Sequence, residues 1–404
     1  MEEVAVIVGT LDTKGEEFKF IKDILENEGL KTLVINAGVL GEPFFQPDIS
    51  NEEVAKAGGS SLKELVDGNH RGKALDVMMC GLVNVVKKLS ADYKITGMIS
   101  LGGSSGTTIG TKAMQVLPVG VPKVMVSTMA SGDTRPYVGE KDITMMYSVV
   151  DISGINPISA KILANAAYAL AGMIKGKPLY EVDDKPLIAA TMFGVTTPCV
   201  TKAREYLEEK GYEVLVFHAT GSGGKAMESL VEAGFIKGVL DITTTELCDE
   251  LVGGVLTAGK HRLEAAGKKG IPQVVSVGAM DMVNFGEYDT VPTPFKNRNL
   301  FRHNATVTLM RTNQDENAQL GEIIAEKLNK AEGPTVLYLP LKGVSAIDVE
   351  GQPFYGPEEN KALFTAIKEH INRQKVEIIE VDTDINDEKF AVAMAEKLIN
   401  LLEK

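Results

Sequence analysis

The sequence predicts an α/β protein built as two domains with mainly parallel sheets. Three observations carry this. Apolar runs of strand length alternate with amphipathic stretches of helix length almost throughout, the pattern of parallel strands joined by crossover helices. The 404-residue chain is long for a single core, since cores stop growing near ~250–300 residues. The pattern of the first half also starts again after residue 185.

The opening run VAVIV (4–8) reads as a strand, and 16–28 as a helix with Phe18, Ile21, Ile24 and Leu25 on one face. Gly29 closes it, because glycine takes the left-handed C-cap conformation without strain. LKTLVIN (30–36) is the second strand. A helix over 75–89 follows, then strands GMISLGG (97–103) and PKVMVST (122–128). An Ala-rich helix over 157–174 begins after Asn156, read as its N-cap, with Pro157 in the first helical position. GKPLYEVDDKP (176–186), with two prolines and a charge cluster, marks a boundary between domains over 1–180 and 185–404.

The second domain repeats the first. PLIAATMFG (186–194) is a strand, 201–211 a helix and YEVLVFH (212–218) a strand, so KGYEVLVFH matches EGLKTLVIN. GMISLGGSSGT (97–107) pairs with GVLDITTTELC (238–248), and GVPKVMVSTMASGD (120–133) with GIPQVVSVGAMD (270–281). The matched order means two related domains facing each other across a cleft. It is no solenoid, whose periods stay below ~50 residues. Further strands fall near 307–311, 335–340 and 377–381. The final helix, 387–402, either closes its own domain or packs back on the first.

Composition narrows the function. A net charge of −13 without any Lys/Arg-rich run excludes nucleic acid as the principal partner. No apolar run approaches the ~20 residues of a membrane span, and the opening residues carry no secretory signal. Cys80, Cys199 and Cys248 stand apart from one another, neither a disulfide framework nor a zinc cluster, which points to the cytoplasm.

Ligands of open parallel sheets bind beyond the carboxyl ends of the strands. In the first domain those ends read GTLDTKG (9–15), GGSSGT (102–107) and STMASGD (127–133). Glycines admit close backbone approach, free amides form an anion nest, and Lys14 adds charge near a helix start. A phosphate-containing ligand is therefore expected, held by Asp12, Thr13, Lys14, Gly102, Gly103, Ser104, Ser105, Gly106 and Thr107, with Ser131 and Asp133 beside them. Helix capping is the plainer reading of such loops. Asp12 or Asp133 would orient Mg²⁺ through water.

In the second domain, ATGSGGKA (219–226) misses the P-loop pattern but fits a loose dinucleotide fingerprint, with Gly221, Gly223 and Ala226 after a strand and Asp241 further on. His218, Thr220, Gly221, Ser222, Gly223, Gly224, Lys225 and His303 are its cleft candidates, whereas His70, His261 and His370 read as solvated. LPLKGVSAIDVEGQPFYGPEEN (339–360) is a strand and a long polar loop, expected as an ordered cleft wall or dimer contact. Neither a nucleophile elbow nor a paired-histidine metal motif occurs, so no catalytic residue is assigned.

GTLDTKGEE, GGSSLKEL, GGSSGT, STMASGD, HATGSGGKAME and GVSAIDVEGQPFYGPEENKALF together resemble a bacterial uncharacterised protein family. That family is related to the N-terminal inhibitory domain of the tomato mosaic virus resistance protein. The resemblance spans nearly the whole chain. It implies two Rossmann-like domains, binding of ATP with Mg²⁺, and a homodimer, but no established reaction. Activities of the plant relatives' extra barrel domain do not carry over. Three readings follow from ATP or its absence. The chain is an ATP-dependent enzyme acting on an unknown small molecule in the cleft, an ATP-responsive sensor without turnover, or an NAD(P)-dependent enzyme using the loop at Gly221 and Ala226.

Overall fold

A computed structural model describes residues 1–68, 70–177 and 185–404. The chain divides into two compact units, Met1–Glu181 and Val182–Lys404. Most of the linker expected over 176–186 lies outside the described residues.

The first unit runs β1 (Glu3–Gly9), α1 (Gly15–Asn27), β2 (Thr32–Asn36), α2 (Asn51–Ala57), α3 (Leu62–Asp67), α4 (Arg71–Asp92), β3 (Lys94–Gly102), α5 (Ser104–Val116), β4 (Lys123–Ser127), α6 (Arg135–Val138), β5 (Thr144–Tyr147) and α7 (Pro157–Lys175). Its sheet has the order β2-β1-β3-β4-β5, and every pairing is parallel. Alternation along β1 decides the layers. Val4, Val6 and Val8 pack with α2, α4 and α5 on one face, while Ile7 packs with Phe18 and Ile21 of α1 and Leu163 of α7 on the other. A side chain that points to either face meets a helix, so the strands read as continuous apolar runs.

By length and composition alone, α7 is apolar enough to span a membrane. Its Leu163, Ala166, Ala167, Leu170 and Ala171 instead join the buried cluster under β3 and β4. Asn156 is its N-cap, as expected, accepting from the amides of Ile158 and Ser159 at 3.0 Å each.

The second unit runs β6 (Leu187–Met192), α8 (Thr197–Glu209), β7 (Glu213–His218), α9 (Ser222–Glu232), β8 (Gly238–Thr243), α10 (Glu246–Val252), α11 (Ala265–Lys269), β9 (Gln273–Gly278), β10 (Met282–Phe285), β11 (Leu300–Arg302), β12 (Thr308–Arg311), α12 (Gln314–Asn329), β13 (Thr335–Pro340), α13 (Pro357–His370), β14 (Val376–Val381) and α14 (Glu388–Leu402). Its main sheet, β14-β13-β9-β8-β6-β7, is parallel, and β10-β12-β11 form a small antiparallel sheet that the sequence pattern does not announce. The final helix, α14, belongs here: Phe390, Met394 and Leu398 pack with α8 beneath β6, β8 and β13.

Candidate nucleotide site

In the first unit the chain leaves β1 toward β2 and leaves β3 toward β4, so neighbouring strands feed loops to opposite sides. Such a divergence opens a crevice at the carboxyl edge of a parallel sheet. A cavity of about 720 Å³ lies there, lined by Asp12, Thr13 and Lys14 after β1 and by Gly103, Ser104, Ser105 and Gly106 after β3.

Its polar end is built around the start of α5. Gly103 is the N-cap, no side chain caps the helix, and its first turn carries no acid. Uncapped first-turn amides together with the helix dipole attract an anion. Gly102 is required for the turn, because a Cβ there would lie 2.7 Å from the Cα of Gly106. Arg71, first residue of α4, donates through Nη2 to Ser105 Oγ at 3.1 Å. The Lys14 ammonium donates to the carbonyl of Ile152, a neutral acceptor that leaves its charge uncancelled at that contact. Asp12 accepts from the Leu40 amide through Oδ2 at 2.7 Å, and its Oδ1 is buried without a partner. The lining also includes apolar side chains of α3, α4 and α5: Leu65, Val66, Ala74, Leu75, Met78 and Ile109.

Four expected ligand residues are not on the cavity wall. Gly102 only shapes the turn. Thr107 is fully buried, and its hydroxyl donates to the Gly103 carbonyl at 2.8 Å and meets Ser127 Oγ at 2.6 Å. That hydroxyl holds the loop and does not face a ligand. Ser131 and Asp133 are exposed, and Asp133 is occupied by the Arg135 guanidinium, Nη2 to Oδ2 at 2.8 Å, which also lowers its pKa. Conversely His70, read from sequence as solvated, lines the cavity beside Arg71.

The second unit closes the equivalent edge with its own side chains. Glu246 Oε1 accepts from the amides of Gly221 at 2.7 Å and Gly224 at 3.1 Å. The anion nest expected for a dinucleotide is filled by an internal carboxylate. Gly224 is obligatory there, since a Cβ would overlap the Glu246 carboxylate. Asp241, the acid of that loose fingerprint, receives Arg262 and the Thr191 hydroxyl, the latter at 2.7 Å. Arg262 is fully buried among Asp241, Glu246 and Glu228. Burial raises the Glu228 pKa against the opposing pull of Arg262.

The remaining second-unit candidates sit at the end of β7, on the first turn of α9 and after β11. His218 is exposed and edge-on to Phe193, with ring centroids 5.7 Å apart, and Thr220 donates to the His218 carbonyl at 3.3 Å. Ser222 and Lys225 are exposed on the first turn of α9. Gly223 packs against the His218 backbone, and His303 is exposed beyond β11. The long loop after β13 is ordered within this unit: Ser345 donates to Asp281 Oδ2 at 2.8 Å, and Asp348 meets Arg311 at 3.1 Å and Asn360 at 2.6 Å.

The sequence matches both domains of one family, the N-terminal domain of uncharacterised protein family UPF0261 over residues 3–178 and its C-terminal domain over 185–402. The chain belongs to the UPF0261 family. A UPF0261 protein of Clostridium tetani is 64% identical over 404 residues, covering 100% of both chains. The tomato (Solanum lycopersicum) ToMV resistance protein Tm-1 is 45% identical over 340 residues, which is 83% of this chain and 45% of that protein. A solved UDP-N-acetylglucosamine 2-epimerase from Rickettsia bellii is 10% identical and covers 100% of this chain and 96% of its own. Its TM-score of 0.23 carries no functional argument.

Proposed function

We propose that the first unit of this UPF0261 protein binds a nucleoside triphosphate, ATP foremost, in the cavity between the loops after β1 and β3. One observation carries the reading: the uncapped, acid-free start of α5 opens into the cavity beside Lys14 and Arg71. Phosphates lie on the 103–106 amides, where helix dipole and guanidinium act together. The base and sugar then lie against the apolar side chains of the lining, and a volume of about 720 Å³ suits a ligand of this size.

Magnesium fits as a companion of the phosphates. Among the described residues no three His, Cys, Asp or Glu side chains cluster as a metal cage. A phosphate-borne Mg²⁺ keeps several waters and needs one or two carboxylates, and Asp12 is the carboxylate on the cavity wall. Three free cysteines, two of them buried, favour a reducing compartment such as the cytoplasm. With the Gly221 and Gly224 amides already engaged, the nicotinamide reading has no comparable support.

Calorimetry with ATP and Mg²⁺ tests the proposal. Binding to the intact chain, weakened at least about tenfold by Lys14→Ala, is the expected outcome for loss of one charge-assisted phosphate contact. Absence of binding to the unaltered protein overturns the reading.

A further inference from the structure

Asn36 closes β2 as a fully buried polar residue. Its Oδ1 accepts from two backbone amides, Leu11 at 3.1 Å and Gly38 at 3.0 Å. These amides belong to the loops after β1 and β2, so one carboxamide pins the two loops together. They also fix its orientation, because only the oxygen of a carboxamide accepts. The Nδ2 group is left buried without a protein acceptor.

Both pinned residues bear on Asp12. Leu11 precedes it in the chain, and Gly38 stands so close that a Cβ there would lie 2.2 Å from Asp12 Oδ1. Asp12 Oδ2 is held by the Leu40 amide at 2.7 Å, whereas Oδ1 is the oxygen without a partner. Thr10, Asp12, Ala37 and Gly38 line the cavity, and Asn36, which ties their loops, is not on the lining.

The second unit supplies a comparison within the same chain. Strand register pairs Gly9 with Asn36 in the first unit and Met192 with His218 in the second. The position matching Asn36 is thus His218, which is exposed, and three residues beyond Met192, where the first unit has Asp12, stands Val195. The carboxamide and the carboxylate occur together and are replaced together.

We propose that Asn36 is the positioning residue for Asp12: by pinning the loops after β1 and β2 it presents the Asp12 carboxylate to the phosphate-borne Mg²⁺, without itself touching ion or nucleotide. This rests on the nucleotide reading above. It concerns only the contribution of the ion.

The test is calorimetry of the full chain with ATP, in Mg²⁺ and in EDTA, on the unaltered protein, Asn36→Leu and Asn36→Asp. The ratio of the two dissociation constants is the readout, because a general loosening of the cavity weakens both alike. In the unaltered protein Mg²⁺ should tighten ATP binding at least about tenfold. Asn36→Leu is of similar size but offers the amides no acceptor, and should shrink the ratio to within about twofold. Asn36→Asp keeps an acceptor for both amides and should retain the ratio. Asn36→Ser, whose short hydroxyl cannot hold both amides, replaces Asn36→Leu if a melting scan shows that variant unfolded. A ratio that survives loss of the acceptor, or that falls in folded Asn36→Asp, overturns the proposal. Equal binding in Mg²⁺ and EDTA by the unaltered protein also overturns it, while the nucleotide site stands. If the unaltered protein binds no ATP at all, the nucleotide reading fails and the proposal falls with it.

Discussion

Arg262 donates through Nε to Glu246 Oε2 at 2.6 Å, and neither side chain meets solvent. Through this pair the glycine loop before α9, the end of β8 and the start of α11 are tied together. Glu246 holds the Gly221 and Gly224 amides, Asp241 closes β8, and Glu228 accepts from Leu263 and Ala265 at 2.7 Å each. One cation thus serves three carboxylates.

Arg262→Met should therefore destabilise the second unit by about 3–5 kcal/mol, the usual scale for stranding buried charge. Urea denaturation reads this. Arg262→Lys should recover only part of the loss, because one ammonium cannot reach partners now met by Nε, Nη1 and Nη2 together. A stability change near zero for Arg262→Met would show that the carboxylates need no cation.

The second unit should also lose stability as pH rises from about 4 to 6. Burial lifts the Asp249 pKa from 3.8 to about 6, outweighing the hydrogen bonds from Asn284 and Leu256. A carboxyl whose folded pKa lies above its unfolded value stabilises the fold fully below the unfolded value. That contribution fades as pH passes through the folded one. A rise of this size corresponds to about 3 kcal/mol. Asp249→Asn should flatten this slope. The new amide keeps the Oδ1 acceptor for the Leu256 and Asn284 amides, and Asn284, whose Oδ1 has no partner, can flip to receive the amide donor. An unchanged slope would assign the pH dependence elsewhere, to Glu228 or Asp281, whose pKa values burial also raises.

Much of this architecture is legible in the sequence because parallel strands are buried on both faces and so stand out as apolar runs. The same logic finds Asp12, Lys14 and Ser104 at strand ends. It does not find the apolar part of the lining, because Leu65, Leu75 and Met78 sit at ordinary amphipathic spacing and look like any core-facing residue. GGSSLKEL carries a trace of it, since Leu65 ends that motif. Nor does local pattern reveal that Glu246, 25 residues from Gly221, fills the second glycine loop. Tertiary contact, not spacing, separates an open nest from a filled one.

Ser105→Asp should separate folding from binding. An acid in the first turn of α5 complements the helix dipole and gains the Arg71 guanidinium that now reaches Ser105 Oγ. It should stabilise the unit by up to about 1 kcal/mol. The same charge repels phosphate. A thermal-shift series should show a small rise in melting temperature and loss of the ATP-dependent shift, which for the unaltered protein is worth about 2.7 kcal/mol at a hundredfold excess over Kd. A retained shift would move the phosphates away from α5.

Gly38→Ala should damage the cavity from the opposite wall. A Cβ at Gly38 would overlap the Asp12 carboxylate, which is fixed by the Leu40 amide through Oδ2. Overpacking of this kind costs about 1–3 kcal/mol, and relief requires Asp12 to swing away and release Leu40. The cavity rim at Leu40 then loosens, and the carboxylate proposed to face the phosphate-borne Mg²⁺ is displaced. Affinity for ATP with Mg²⁺ should fall more than affinity for ATP in EDTA. Equal losses in both conditions would instead make Gly38 a determinant of cavity shape alone, with Asp12 having no part in meeting the ion.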